Sequence, residues 1–253
     1  MNNLALLISG GGTTATAVVR AVQERMLTGI GEIIGIASTP EANGIFKLRQ
    51  LGIHVAVVQR NECVSQEEFG KSLLTILEQH KISIVSQNGW LPLTPKQVVE
   101  HYKDRIINQH PGPLDPQTRR DFGGKGMFGK RVVAARLIYC WLTGSDYWTE
   151  AVTHHVFADF DDGDIIQVMK VDLPQYQTTF AELEKNPSYV LSESEKVHKR
   201  LLPVEHENVI ATLQYLVNRS TPSFVRGAAL VPKEHESVLH KAKQLAIKLY
   251  PDG

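Results

Sequence analysis

Five short apolar runs alternate with helix-length segments over the first 110 residues, and this alternation restricts the fold more than any other feature of the chain. The runs are Leu4-Ala-Leu-Leu-Ile8, Ile33-Ile-Gly-Ile-Ala37, Val55-Ala-Val-Val58, Ile82-Ser-Ile-Val-Ser86 and Arg105-Ile-Ile-Asn-Gln109. They are too short for helices and rich in β-branched residues, so they read as strands. Residues 13–27, 44–51, 67–80 and 96–102 separate them and carry helical patterns; within 67–80, Phe69, Leu73, Leu74, Ile76 and Leu77 fall on or near one face. The alternation predicts an α/β, Rossmann-like fold with a mainly parallel sheet flanked by helices. After residue 110 the pattern changes. Residues 115–131 read as a loop, 132–143 as a helix, and 152–157 and 165–171 as two strands joined by an acidic turn at 159–164. From residue 174 the chain reads as mostly helical, with breaks near Pro187, Pro203 and Pro222. The expected organisation is therefore a domain over 1–173 with a helical C-terminal extension, 174–253, packed on it.

Of the 253 residues, 42% are hydrophobic, ample for a core. The 27 basic residues balance the 27 acidic ones, which argues against a dedicated nucleic-acid binder while leaving room for a small phosphorylated ligand at a local site. Cys63 and Cys140 show neither metal-like spacing nor a disulfide framework. No apolar run reaches the roughly 18 to 20 residues needed to cross a membrane. The first strand starts too near Met1 to leave space for a signal peptide, so a cytoplasmic protein is expected.

Three stretches carry candidate chemistry. In Ile107-Asn-Gln-His-Pro111, Asn108 and His110 lie two apart and share a strand face; Pro111-Gly-Pro113 then breaks the strand. A carboxamide and an imidazole projecting together suit acyl transfer, one stabilising an oxyanion and the other moving a proton; a satisfied polar pair at a strand end is the plain alternative. Gly10, Gly11, Gly12, Thr13 and Thr14 sit between the first strand and first helix, where backbone N–H groups favour an anion. Ala15 stands where a dinucleotide fingerprint needs its third glycine, so neither that motif nor a P-loop is satisfied. Trp90, Leu91 and Leu93 follow the fourth strand and can line a pocket for a flat heterocycle or simply cap the core. His154 and His155 alternate faces on a strand and read as structural, and no ligand spacing supports zinc.

Taken in order, Ser9-Gly-Gly-Gly-Thr-Thr14, Gly52-Ile53, Gly89-Trp-Leu-Pro-Leu93, Ile107-Asn-Gln-His-Pro111 and Asp162-Gly163 resemble the folate-dependent formyltransferases, nearest the glycinamide ribonucleotide branch. The likeness covers roughly residues 4–173. It implies a one-carbon transferase of purine biosynthesis that moves a formyl group from 10-formyltetrahydrofolate to the amine of a small, phosphorylated or unphosphorylated substrate, without a metal. Carried over by motif, the catalytic residues are Asn108, His110 and Asp162. The folate site would involve Trp90, Leu91, Leu93 and Asp162. The amine substrate would meet Gly10 to Thr14 along the glycine loop, with Pro111 and Glu205. Thr13 and Thr14 stand where the family's phosphate loop has Ser-Asn, and Pro92 stands near a usual basic residue.

The acceptor is left open by the sequence: glycinamide ribonucleotide, an amino-sugar nucleotide or another amine. Hydrolysis of 10-formyltetrahydrofolate and a degenerate folate-binding module are the competing readings. Methionyl-tRNA fits poorly, because the tail looks helical and the chain is uncharged overall. The tail packs on its own domain or on a second subunit, so a homodimer stays open.

Overall fold

The computed structural model describes all residues from Met1 to Gly253. Seven strands form one sheet in the order β3-β2-β1-β4-β5-β6-β7. β1 (Asn2–Ile8), β2 (Ile30–Ala37), β3 (His54–Val57), β4 (Ile84–Asn88) and β5 (Ile106–His110) are parallel. β6 (Trp148–His155) and β7 (Ile165–Asp172) extend the sheet antiparallel. The crossover helices are α1 (Thr13–Gln23), α2 (Gly44–Gln50), α3 (Gln66–Gln79) and α4 (Lys96–His101). Leu4 to Ile8 of β1 are completely buried, as expected for a central parallel strand covered on both faces. α3 opens on Ser65, whose side chain accepts from the Glu68 amide, with Glu67 and Glu68 in its first turn complementing the helix dipole. Its Phe69, Leu73 and Leu77 are buried against the sheet with Ala5, Leu7 and Val85.

Residues 111–129 contain no helix or strand, in keeping with the expected loop, and α5 (Lys130–Thr143) follows. Residues 132–141 are all buried, because α5 lies between the sheet and two later helices and has no solvent face. Its Arg136 is fully buried and donates to the carbonyls of Trp148 (2.8 Å) and Asp146 (2.9 Å).

The chain continues through α6 (Phe180–Lys185), α7 (Ser188–Asn218) and α8 (Glu236–Leu249). Pro187 is the N-cap of α7 and Pro222 lies in the irregular segment after it, where breaks are expected. Pro203 departs from that expectation: it lies inside α7, which runs on through it. An interior proline costs about 3 kcal/mol. Val190, Val197 and Leu201 on one side of Pro203 and Val209 and Leu213 on the other are all fully buried, each side chain contributing about 1.5–3 kcal/mol, which offsets it. α7 and α8 complete the same cores as the earlier elements: Val197 and Leu245 pack with α5, and Val209 and Leu213 with β1 and α1. No helix is long and apolar enough to cross a membrane.

Candidate active site

The sheet order reverses between β1 and β4, so the loops after these strands diverge and leave a crevice at their carboxyl ends. A cavity of about 610 Å³ occupies it. Glycine loop 10–14 lines one part, the 87–94 segment another, and the end of β5 with Pro111 a third. Residues 124–129, the 159–161 turn, and His198, Leu202 and Glu205 of α7 complete it.

The glycine loop has its shape because Gly12 adopts φ +61° at the N-cap of α1. A Cβ there would lie 2.6 Å from Gly44 Cα, so only glycine lets α1 and α2 approach this closely. No side chain caps the helix, leaving its first amides free. Lys47 Nζ donates to the Gly11 carbonyl at 2.8 Å.

Asn108 and His110 leave β5 on the same face, as the two-residue spacing requires. Opposite them at the cavity wall stands Asp161, not the Asp162 that the sequence pointed to. Asp161 Oδ1 lies 3.5 Å from His110 Nδ1, 3.5 Å from His154 Nε2 and 3.4 Å from Asn108 Nδ2. Asp161 Oδ2 accepts from the Gly124 amide at 2.8 Å. Asp162 instead pairs with Arg119 at the surface and does not line the cavity. The physical reason is the turn. Asp161 has φ +53°, and Gly163 passes so close to β6 that a Cβ on it would lie 1.6 Å from the His155 carbonyl oxygen. This tight return turns Asp161 inward and Asp162 outward.

His154, read from sequence as structural, belongs to the cluster. It pairs with Asn108 across the β5–β6 ladder. Its Nδ1 lies 2.7 Å from the His155 carbonyl oxygen, which can only accept, so Nδ1 carries a proton. In the neutral ring Nε2 is then an acceptor, and Asn108 Nδ2 donates to it at 3.1 Å. Alternation had shown that only one of His154 and His155 could face a site; the antiparallel pairing selects His154.

Burial pushes the His110 imidazole below its ordinary value, and Asp161 opposes the shift without reversing it. Burial disfavours charge on Asp161 too. His110 foremost, with the Gly124 amide, outweighs it and holds the Asp161 carboxyl below the usual carboxylate range. Glu205 behaves in the opposite way: it is 5% exposed, and burial without a cation raises its carboxyl to about 8.

The other expected residues, Gly10 to Thr14, Trp90, Leu91, Leu93, Pro111 and Glu205, all line the cavity. Trp90 also packs into the core, stacked on Phe69 with ring centroids 6.2 Å apart, whereas Leu91 is 45% exposed. Several polar atoms around the cavity are buried and unpartnered: Trp90 Nε1, Gln109 Nε2, His110 Nε2, His198 Nδ1 and Glu205 Oε1. Such atoms are rare in folded proteins, and these five, among others elsewhere in the chain, face one hollow, which suits a polar ligand. Sequence inspection had no signal for Gln109 or His198.

Residues 2–124 match the formyl transferase family model. The chain is 27% identical over 193 residues to the chloroplastic phosphoribosylglycinamide formyltransferase of Arabidopsis thaliana, covering 74% of this chain and 62% of that protein. It is 25% identical over 112 residues to the phosphoribosylglycinamide formyltransferase of Escherichia coli (strain K12), covering 44% and 52%. The match therefore spans between half and two thirds of these curated relatives' own length. Among solved structures, glycinamide ribonucleotide transformylase 1 from Symbiobacterium toebii superposes with a TM-score of 0.70 at 20% identity, covering 89% of this chain and 94% of that one. The phosphoribosylglycinamide formyltransferase from Bacillus halodurans gives 0.68 at 21%, covering 87% and 97%. In its motif order, sheet topology and inward-facing Asn108 and His110, the chain is similar to the formyltransferase family, whose model matches residues 2–124, just under half of its length.

Proposed function

We propose that this chain transfers a formyl group from 10-formyltetrahydrofolate to the amine of a small phosphorylated substrate, with glycinamide ribonucleotide as the leading acceptor. The observation that carries this is the convergence of Asn108, His110 and Asp161 beside a hollow edged by free helix amides. The 10–14 loop is the proposed phosphate seat, and Glu205 faces the body of the acceptor. The 90–93 segment takes the folate ring system, for which Trp90 Nε1 is an unused donor.

The proposed reaction starts with the acceptor amine attacking the formyl carbon. A C–N bond forms and the carbonyl electrons move to oxygen, where Asn108 Nδ2 donates to the developing oxyanion in place of one of its present partners. His110, kept neutral by burial, takes the proton released by the amine. Asp161 stabilises the imidazolium so formed. His110 then returns the proton to the folate nitrogen as its bond to the formyl carbon breaks, releasing tetrahydrofolate and the formylated amine.

The test is incubation of purified protein with 10-formyltetrahydrofolate, with and without glycinamide ribonucleotide, following tetrahydrofolate and formate. Acceptor-dependent tetrahydrofolate is the expected result. Equal turnover without acceptor, with formate released, would replace transfer by hydrolysis. No turnover with this or any other small amine would overturn the assignment.

A further inference from the structure

The C-terminal helix α8 reaches the site through one peptide unit. Lys243 Nζ donates to the Gly123 carbonyl at 2.8 Å, and the Gly124 N–H of that same peptide donates to Asp161 Oδ2, also at 2.8 Å. The Gly123 carbonyl and the Gly124 amide are the two ends of one rigid, planar group. A cation on the carbonyl end therefore polarises the N–H end and strengthens its bond to the carboxylate. We propose that Lys243 is a positioning residue for Asp161, acting through the Gly123–Gly124 peptide rather than by touching substrate.

The surroundings support this reading. Asp121 anchors the same loop: its Oδ1 accepts from the Gly123 amide at 2.9 Å and its Oδ2 from the Asp115 amide at 2.9 Å. Gly123 has no room for a side chain, since a Cβ would lie 2.5 Å from Leu114 Cδ2 and 2.8 Å from Asp161 Cβ. The Gly123–Gly124 peptide is thus held by Lys243 at its carbonyl and by Asp161 at its N–H, with Asp121 fixing the preceding amide. Lys243 is half-buried; burial lowers its ammonium below the ordinary value, and Asp121 and Asp161 are the acids that oppose this. The lysine stands in a second hollow that shares the Gly124 and Asp161 wall with the main cavity. A lysine spent only on solubility would not be packed against the peptide that holds the site's acid.

The inference rests on the catalytic role proposed for Asp161, so its test needs a readout that does not depend on turnover. Lys243→Met keeps the aliphatic stem and removes the donor, Lys243→Arg keeps a cation, and Lys241→Met serves as the control for lost charge on the same helix. The first readout is the amide proton shift of Gly124 by NMR. The expected result is an upfield move in Lys243→Met, little change in Lys243→Arg, and none in Lys241→Met. The second readout is turnover. A 1 Å misplacement near the chemistry can cost about a hundredfold, so a loss of about tenfold in kcat with KM nearly unchanged is expected for Lys243→Met, with recovery in Lys243→Arg. An unmoved Gly124 amide would overturn the inference, as would a loss of kcat that arginine fails to restore. If Lys243→Met does not fold, Lys243→Leu, which also lacks a donor, is read in the same way. An inactive wild-type protein would sink the formyltransfer reading and leave the Gly124 shift to decide this one.

Discussion

Asn108 and His154 face each other across the β5–β6 ladder, with Asn108 Nδ2 donating to His154 Nε2 at 3.1 Å. The His155 carbonyl sets the ring's tautomer, and the ring in turn orients the amide that is proposed to meet the oxyanion. His154→Gln keeps an acceptor within reach of Asn108, whereas His154→Phe removes it. Turnover is expected to fall by about tenfold or more in the phenylalanine variant and by less in the glutamine one, as suits a group that orients a catalytic residue. Equal losses in the two would show that ring shape, not the hydrogen bond, matters.

Asn108→Ala is expected to lower turnover by about 100- to 1000-fold, the usual effect of losing one oxyanion donor. Melting temperature should change little, because Asn108 is only partly buried. Steady-state kinetics on a variant with wild-type circular dichroism decides the point.

Two adjacent acids offer a sharper comparison. Asp161→Asn removes the charge that counteracts the burial of His110. It should cut turnover strongly and push the His110 imidazole still lower, which NMR titration of the ring would record. Asp162→Asn loses only a surface pair with Arg119, worth about 0–1 kcal/mol, and should retain near-normal turnover. The reverse ranking would return the catalytic role to Asp162.

Gly163→Ala places a methyl group against the His155 carbonyl oxygen, where a Cβ would be 1.6 Å away. The turn must open, at a cost of about 1–3 kcal/mol. Because the same turn aims Asp161, turnover should fall together with the urea midpoint. A variant with the wild-type midpoint and wild-type kcat would show that the turn is free to move.

Glu205 links stability to pH. Its carboxyl lies at about 8 in the folded chain, above the ordinary carboxylate value of 4.5, so the native state holds a proton that the unfolded state releases. Stability from this group is intact below about pH 4.5 and declines, by about 1.4 kcal/mol per pH unit, as pH rises toward 8. Glu205→Gln removes that dependence. Its melting temperature should exceed the wild type's by a margin that widens between pH 5 and pH 8. A constant margin would mean that the carboxylate is already ionised in the native chain.

How far the sequence carries differs from residue to residue. The five parallel strands, the glycine turn and the shared face of Asn108 and His110 follow from local rules: apolar run length, period-two alternation, and a proline that ends the ladder. Asp161 could not be separated from Asp162 in that way, because Asp-Gly is ordinary turn chemistry. The choice depended on how closely Gly163 passes the His155 carbonyl, a contact between a turn and a strand edge. His154 was hidden for a similar reason, since alternation says that one of two neighbours faces a site but not which one. Pro203 read as a break because local propensity says so; burial on both sides of it carried the helix through. Lys243 lies 120 residues from Gly123 in the chain, and nothing local relates them. The sequence alone thus determined the α/β layering and the residue types at the end of β5, which depend on periodicity along a single segment. Only the tertiary structure decided which acid, which histidine and which lysine meet there, because those pairings depend on turns and on packing between segments distant in the chain.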